Sequence, residues 1–303
     1  DGAPAWLRSH AGELKGDRPF FYIQHPHPKG TIPHAWSGDD GTITAALAEF
    51  PNAVAITGHS HMALVDDRSI WQGAFTCINA SSLRYTGSFG GRENSREFGV
   101  EDPKTSQMSA IWAPDVAPVM VMDVYDDALV FSRHDVLSDL KLAEDWVLPW
   151  KNGRGDAAMS YAERAQSQPL AQFPPDAKVS ISERKGLNRR KENVDQVVVS
   201  FPNVRRMDGA SVRAYDFEVA CEVRDVDVVK PYIVKRVFSP KYYRPESLDA
   251  ANVTCVFAKS ELPCPKTVND GPARKTIAWR FTVRPCSCFG GKGNAIATAW
   301  FEA

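Results

Sequence analysis

The sequence contains no apolar run long enough to cross a membrane and no large excess of charge of either sign. A membrane-spanning helix needs roughly eighteen or more consecutive apolar residues, and none of the 303 residues lies in such a run. The formal net charge is −1, whereas a nucleic-acid-binding surface would make the chain strongly basic. No signal peptide is visible at the start, Asp1. These absences argue against a membrane span and against nucleic acid as a partner.

The glycine-rich motifs that bind nucleotides are also missing. The glycine pairs Gly90-Gly91 and Gly290-Gly291 lack the Lys-Ser/Thr ending of a P-loop and the spacing of a dinucleotide fingerprint. Both pairs are predicted to be surface turns. A second interpretation makes the first pair, with Arg84, Tyr85 and Arg92 nearby, a loop that contacts a substrate phosphate.

Cysteine is scarce, with six residues in the whole chain. The Cys286-Ser287-Cys288 spacing is too short for a CxxC redox or zinc motif. The second half of the chain could form two disulfides with one cysteine to spare, or its cysteines could pack as thiols. Both alternatives stay open for the five cysteines concerned: Cys221, Cys255, Cys264, Cys286 and Cys288.

Two histidine-containing turns each follow an apolar run that is typical of a β-strand. Phe20–Ile23 precedes Gln24-His25-Pro26-His27-Pro28, and Ala53–Thr57 precedes Gly58-His59-Ser60-His61. Ligands of open α/β sheets bind at the carboxyl ends of strands, so we expect the two turns to meet at one edge. In extended backbone, His59 and His61 point the same way roughly 6–7 Å apart. They could then reach two metal ions, which lie roughly 3.5–4 Å apart in two-metal sites.

The surrounding residues favour a metal site of one kind over others. Gly58 is expected to allow a tight exit from its strand, and Pro26 and Pro28 are expected to stiffen the first turn. A lone His-x-His is more often a pair of packed or exposed histidines, but the second turn makes the metal interpretation the better one. Residues 62–68 match neither the metallo-β-lactamase pattern nor the cupin pattern.

Together, the two turns resemble the last two metal-binding motifs of the calcineurin-like metallophosphoesterase superfamily. Residues 73–82 resemble the strand that follows these motifs, and residues 119–134 resemble the closing hairpin, so the resemblance covers roughly residues 15–150. It implies an α/β (α+β) fold, part of the four-layer αββα metallophosphoesterase fold. It also implies that His25 and His59 would bind one metal ion and that His61 would bind its neighbour. From its position beside them, His27 is expected to hydrogen-bond a ligand or face the substrate in a catalytic role. Arg84 and Tyr85, on the loop described above, are expected to bind the substrate.

The resemblance implies a hydrolase that acts on phosphate mono- or diesters with a small phosphorylated substrate. In that superfamily two ions of Mn, Fe or Zn lower the pKa of a bridging water, and the hydroxide attacks phosphorus in line. The earlier motifs of the superfamily, Asp-x-His, Gly-Asp-x-x-Asp and Gly-Asn-His-Asp/Glu, are absent from the sequence. We therefore expect the carboxyl-terminal part of a larger enzyme, nearly inactive without its missing amino-terminal half. The alternative is a non-catalytic binding or structural protein with a degenerate phosphoesterase half.

A change of pattern near residue 150 predicts two domains. Residues 1–150 are expected to be the carboxyl-terminal half of the metallophosphoesterase domain, and residues 151–175 a linker with a short helix from Asp156 to about Gln166. Within the first half, residues 40–50 are the clearest helix, with Asp39 or Asp40 as N-cap.

From about residue 177 onward, short strands at 197–201, 215–221, 232–238 and 276–283 predict an all-β sandwich. Residues 176–303 resemble a fibronectin-type-III-like domain in their last hairpin. A sandwich attached to a phosphoesterase is typical of an exported protein, either periplasmic or secreted.

Overall fold

The chain is rich in β-structure and forms several sheets. The structure is a computed structural model that describes residues 2–33, 38–84, 86–89, 91–94, 108–111, 116–188, 190–204, 214–225, 228–240, 242–243, 252–263 and 278–302. Within these ranges, no helix combines the length and apolar character that crossing a membrane would require. The chain divides into two compact units. The first comprises Asp1–Gly90, Arg96–Gln168 and Tyr243–Pro245; the second comprises Gly91–Ser95, Pro169–Tyr242 and Glu246–Ala303.

Short helices and ten strands make up the described part of the first unit. The helices are α1 (Gly2–Ser9), α2 (Ala11–Leu14), α3 (Thr42–Leu47) and α4 (Tyr161–Ser167). The strands are β1 (Phe20–Ile23), β2 (Ala53–Thr57), β3 (Ile70–Gln72), β4 (Thr76–Asn79), β5 (Thr86–Phe89), β6 (Met108–Ile111), β7 (Pro118–Val124), β8 (Ala128–Asp135), β9 (Leu140–Lys151) and β10 (Arg154–Gly155).

A mixed sheet at the centre of this unit is covered on both faces. Its order is β1-β2-β4-β3, with β1, β2 and β4 parallel and β3 antiparallel to β4. Ala53 and Ala55 pack with Leu47 and Phe50 of the α3 region, whereas Val54 packs with Phe131 of β8 on the other face. Strands that are buried on both faces read as continuous apolar runs, which explains the composition of β2. The layers are therefore helices, the mixed sheet and the antiparallel sheet β10-β9-β8-β7.

Helix α3 is shorter than predicted and begins at Thr42 rather than at residue 40. Gly41, the N-cap, has φ +111°, a left-handed value that suits glycine. Both predicted capping carboxylates nevertheless accept hydrogen bonds from the first turn. Asp40 Oδ1 accepts from the Thr42 amide at 2.9 Å, and Asp39 Oδ1 accepts from the Ile43 amide at 3.2 Å. The two side chains cap the helix from one and two residues before the N-cap.

Residues 151–168, which the sequence predicts to lie in a linker, belong to the first compact unit and form hydrogen bonds within it. Strand β10 pairs with β9 through a turn at Asn152-Gly153, where φ is +52° and +69°. Positive φ at both central residues is the requirement of the two-residue Asn-Gly hairpin. The predicted helix is split: Asp156 caps a 3₁₀ turn at Ala157–Met159, and Ser160 caps α4.

The second unit is built from two antiparallel sheets that share one hydrophobic core. Sheet β11-β12-β15 and sheet β14-β13-β16-β17, with β18 also paired to β16, supply buried side chains such as Phe201, Phe217 and Phe281 to this core. Thr276 and Ile277 of the last predicted strand lie outside the described residues. The strands are β11 (Ser180–Leu187), β12 (Asn193–Pro202), β13 (Asp216–Asp225), β14 (Val228–Phe238), β15 (Asn252–Ala258), β16 (Ala278–Cys286), β17 (Ile296–Ala297) and β18 (Phe301–Glu302).

Arg92 belongs to the second unit, where it and Arg236 form ion pairs with the buried carboxylate of Asp216. Its Nε and Nη2 donate to Asp216 Oδ2 at 3.0 and 2.9 Å, and Arg236 Nη2 donates to Asp216 Oδ1 at 2.5 Å. The carboxylate of Asp216 is fully buried. The Arg92 guanidinium is therefore bonded to a buried carboxylate of the second unit, and the interpretation of the loop around Gly90-Gly91 as a phosphate contact stays a prediction.

The described cysteines pack as thiols, and no disulfide joins them. Cys77, Cys221, Cys255 and Cys286 are buried. Burial raises the pKa of the Cys77 thiol to about 12 and that of Cys286 to about 11. A buried thiol with a raised pKa is unreactive and behaves as a small apolar side chain. Cys264 lies outside the described residues.

Candidate metal centre

The carboxyl ends of β1 and β2 bring the two histidine turns together. Because these strands are parallel neighbours, with Ile23 paired to Ile56, the residues that follow them leave the sheet at the same edge. The amides of Gly58 and His59 both donate to the carbonyl of His25, at 3.2 and 3.0 Å. The backbone of one turn therefore holds the backbone of the other. This is the meeting of the turns that the sequence predicts.

The rings of His25 and His59 meet edge to face, with two nitrogens in close approach. Nε2 of His25 lies 3.2 Å from Nδ1 of His59, and the ring centroids are 5.0 Å apart at an interplanar angle of 71°. Two imidazole nitrogens on one tetrahedral zinc ion, each at roughly 2.0–2.1 Å, lie about 3.3–3.4 Å from each other. The same distance also suits a hydrogen bond between a protonated and an unprotonated ring nitrogen. In either case two nitrogens of a type that can bind a metal ion converge.

His61 is close to the pair but is held in an unusual backbone conformation. Its ring centroid lies 6.5 Å from that of His25, at an interplanar angle of 87°. Its φ is +50°, so it is not in the extended conformation from which the sequence argument placed it beside His59. Gly58, by contrast, does not have positive φ, and a Cβ built there would meet its nearest neighbours at 3.7 and 3.8 Å. The exit from the strand therefore does not depend on a positive φ at Gly58; the left-handed residue of the turn is His61.

His27 is buried next to this pair. Only 1% of its surface is exposed, and its ring stacks on that of His59 with centroids 6.5 Å apart and 27° between the planes. A ring enclosed in this way can orient a neighbouring ligand. The role of His27 as a partner of the ligands or of the substrate stays a prediction.

The two residues predicted to bind substrate follow the end of β4. Arg84 is exposed, and its amide donates to Ser82 Oγ at 3.3 Å. Tyr85 lies outside the described residues. Arg84 is thus a solvent-accessible cation on the chain that continues from the strand beside the histidine turn.

A cleft of about 600 Å³ opens next to the first histidine turn. Gln24 and Pro26, the neighbours of His25, line it together with Arg8, Asp39 and Ile43. Burial would raise the pKa of Asp39, but hydrogen bonds from the Lys29 amide and from Thr44, Gly41 and Ile43 lower it to about 2. The volume is within the range of small-molecule sites. The cleft was not predicted because its walls come from three separate segments.

A polar network anchors the loop that follows the second histidine turn. Asp67 Oδ1 accepts from the indole nitrogen of Trp146 at 3.0 Å and lies 3.3 Å from Arg133 Nη1. The Arg133 guanidinium also donates to the carbonyl of Leu64 at 2.8 Å and lies over the Trp146 ring, 4.0 Å from its centroid. Gln168 Nε2 donates to Asp67 Oδ2 at 2.5 Å. Local sequence pattern does not predict this network, because the side chains that contact Asp67 lie 66 or more positions away from it.

The ring nitrogens of His25 and His59 could hold a metal ion only together with further ligands. Across the described ranges, no group of three or more His, Cys, Asp or Glu side chains is arranged to hold a metal ion. His25 and His59 provide two converging nitrogens, whereas metal sites generally need at least three protein ligands. Comparison with protein-family models, curated proteins and solved structures finds no match to this chain.

Proposed function

We propose that this chain contributes the histidine corner of a two-metal phosphoesterase centre, and that its activity is metal-dependent hydrolysis of a phosphate mono- or diester. The observation that carries the proposal is the 3.2 Å approach of His25 Nε2 to His59 Nδ1 at the carboxyl edge of a parallel strand pair. Ions of Mn, Fe or Zn bound at such a corner would activate a water and stabilise charge on the phosphate oxygens.

The layered first unit supports this proposal. Helices, a mixed sheet and an antiparallel sheet follow one another, an order that is compatible with three of the four layers of an αββα metallophosphoesterase fold. We propose that fold for the first unit. The second unit, with two antiparallel sheets on one core, is proposed to be a fibronectin-type-III-like sandwich.

The residues of the chain would act as ligands and as substrate contacts. His25 and His59 would each present a neutral ring nitrogen to one ion, and His61 would present its ring to the neighbouring ion. His27, stacked on His59, would hold that ring in place. Arg84, as an exposed cation, would attract the phosphate group, and the cleft beside Gln24 and Pro26 would accommodate the rest of a small substrate. The centre needs carboxylate ligands from outside the described residues.

A second candidate function is non-catalytic binding with a degenerate phosphoesterase half. The specific observation in its favour is that, in the part of the chain that the structure describes, no group of three or more His, Cys, Asp or Glu side chains is arranged to hold a metal ion. Hydrolysis of aryl phosphate mono- and diesters by the full-length natural protein with added Mn²⁺ separates the two candidates. Hydrolysis that His59→Ala abolishes and His10→Ala preserves supports the enzyme. Hydrolysis that is absent, or independent of His59, supports the binding protein.

A further inference from the structure

Two residues at the edge that carries the histidines adopt a left-handed backbone conformation. His61, the last residue of the Gly-His-Ser-His turn, has φ +50°, and Ser81, two residues after β4, has φ +62°. A side chain with a Cβ crowds the following carbonyl in this conformation, so neighbouring contacts must hold it. Because the backbone of His61 determines where its ring points, the contacts that hold φ also direct the ring.

Asn79, the last residue of β4, contacts the backbone next to both of these residues. Its Nδ2 donates to the carbonyl of Met62, the residue after His61, at 3.1 Å. Its Oδ1 accepts from the amide of Ser81 at 3.2 Å. The side chain of Asn79 is fully buried, so water does not compete for either bond. One side chain therefore ties the two left-handed positions together.

A second bond extends this link along the loop that follows His61. Asn79 Nδ2 also donates to Ser69 Oγ at 3.2 Å, and Ser69 Oγ donates to the carbonyl of Ala63 at 3.2 Å. On the strand side, the amide of Ala80 donates to the carbonyl of Thr57 at 2.7 Å. The backbone bond of Ala80 thus joins the ends of β2 and β4, and the side-chain bonds of Asn79 join the end of β4 to the loop that follows the histidine turn.

We propose that Asn79 is a positioning residue of the centre: it holds His61 in its left-handed conformation and thereby directs the His61 ring relative to the His25–His59 pair. The consequence for metal binding rests on the proposed function. The consequence for the backbone of His61 does not, because it follows from the hydrogen bonds of Asn79 alone.

Asn52 provides a matched control at the opposite end of β2. It is also buried, with 2% of its surface exposed, and its Nδ2 likewise donates two hydrogen bonds, here to the carbonyls of Leu14 at 2.7 Å and Arg18 at 2.8 Å. Replacing either asparagine by aspartate removes a comparable pair of donated bonds. Asn52 precedes Ala53, at the end of the strand away from the histidines, so only its contribution to stability should change.

The test compares Asn79→Asp with Asn52→Asp in the untagged 303-residue chain. Zinc affinity is measured by competition with a chromophoric chelator, and stability by urea unfolding. We expect Asn79→Asp to weaken zinc binding by about 10- to 100-fold and Asn52→Asp to change zinc affinity by less than about twofold. The two variants should lose a similar amount of stability. Equal effects of the two variants on zinc affinity would overturn the assignment. If Asn79→Asp does not fold, Asn79→Ser replaces it, with the same expected loss, because the shorter side chain cannot reach Met62.

A metal-free measurement separates this inference from the proposed function. In protein selectively labelled at histidine, the amide–Hα cross-peak and scalar couplings of His61 report φ. We expect the left-handed signature in wild type and in Asn52→Asp, and its loss in Asn79→Asp. If wild type does not bind zinc, this measurement decides alone. Retention of the left-handed signature in Asn79→Asp would then refute the role of Asn79.

Discussion

Nε2 of His25 lies 3.2 Å from Nδ1 of His59, although 34 residues separate the two histidines in the chain. Backbone contacts produce this approach, since the amides of Gly58 and His59 both donate to the carbonyl of His25. The two turns should therefore stay together when either ring is replaced. Substitution of a ring then tests its chemistry without dismantling the edge of the sheet.

Gly58→Ala is expected to fold with its stability unchanged or raised by up to about 1 kcal/mol, because the added methyl fits and the unfolded chain loses freedom. The new Cβ would lie 3.7 Å from the Ser81 carbonyl oxygen and 3.8 Å from His25 Nδ1. Gly153→Ala is the control, with φ +69° and a Cβ only 2.5 Å from the Gly16 carbonyl oxygen. It should lose more than about 1 kcal/mol. Urea unfolding compares the two, and a loss at Gly58 as large as that at Gly153 would contradict the geometry of the turn.

His61→Gly is expected to be more stable than His61→Ala by about 1 kcal/mol, because only glycine adopts left-handed φ at little cost. Both variants lack the ring, so the difference isolates the backbone at φ +50°. Thermal or urea unfolding of the two variants measures it. Equal stability of the two variants would mean that His61 is not left-handed in solution. Loss of metal binding in both variants would show that the ring, rather than the backbone, is the ligand.

The sequence was sufficient to predict the meeting of His25 and His59, but not the way in which the turn is built. Apolar runs that end in histidines identify strand ends, and parallel strands share an edge, so convergence follows from local pattern. The conformation of His61 depends on buried contacts such as that of Asn79 with Met62, 17 residues away. Local propensity would assign φ > 0 to Gly58 before His61. In the structure the positive φ is instead at His61.

The helix and the linker show the same limit. The carboxylates of Asp39 and Asp40 do accept first-turn amides, as their residue types predict, but the start of α3 depends on the left-handed Gly41. Residues 151–168 read as a polar, glycine-rich break, yet Asn152-Gly153 is a hairpin turn and Arg164 donates to the carbonyls of Asp67 and Ile70. The structure of residues 151–168 depends on contacts with distant segments, and the start of α3 depends on the backbone of Gly41. Neither can be predicted from the residue types alone.

Asp67→Ala is expected to lower the free energy of unfolding by about 2–4 kcal/mol, because it leaves a buried guanidinium without its carboxylate. The side chain of Arg133 is 4% exposed, and Asp67 also accepts from Trp146 and Gln168. Lys141→Ala is the control, since it breaks the more exposed pair with Asp145 at 3.0 Å and should cost less than about 1 kcal/mol. Urea unfolding measures both. Similar small losses would show that the network around Asp67 is not a significant anchor of the loop.

Asp39→Asn is expected to lower stability at neutral pH and to have little effect near pH 2. Hydrogen bonds lower the pKa of Asp39 to about 2, below its ordinary value, so its ionised form stabilises the fold. That stabilisation is present above roughly pH 4 and disappears as the pH falls through the folded pKa. After allowance for partial exposure, we expect about 1 kcal/mol at pH 7. The urea midpoints of wild type and variant should be similar near pH 2, and the midpoint of wild type should become the higher one as the pH rises to 7. A difference that stays constant across this range would contradict the role of Asp39.

The central claim is that His25 and His59 bind a metal ion together. Titration of Zn²⁺ into the untagged chain, with His25→Ala, His59→Ala and His10→Ala beside wild type, tests it most directly. His10 is a suitable control because it is in the same unit, stacked on Trp6. We expect a zinc site whose affinity falls by at least about tenfold in His25→Ala and His59→Ala alike and does not change in His10→Ala. Zinc binding in His59→Ala that is as tight as in wild type would contradict the claim.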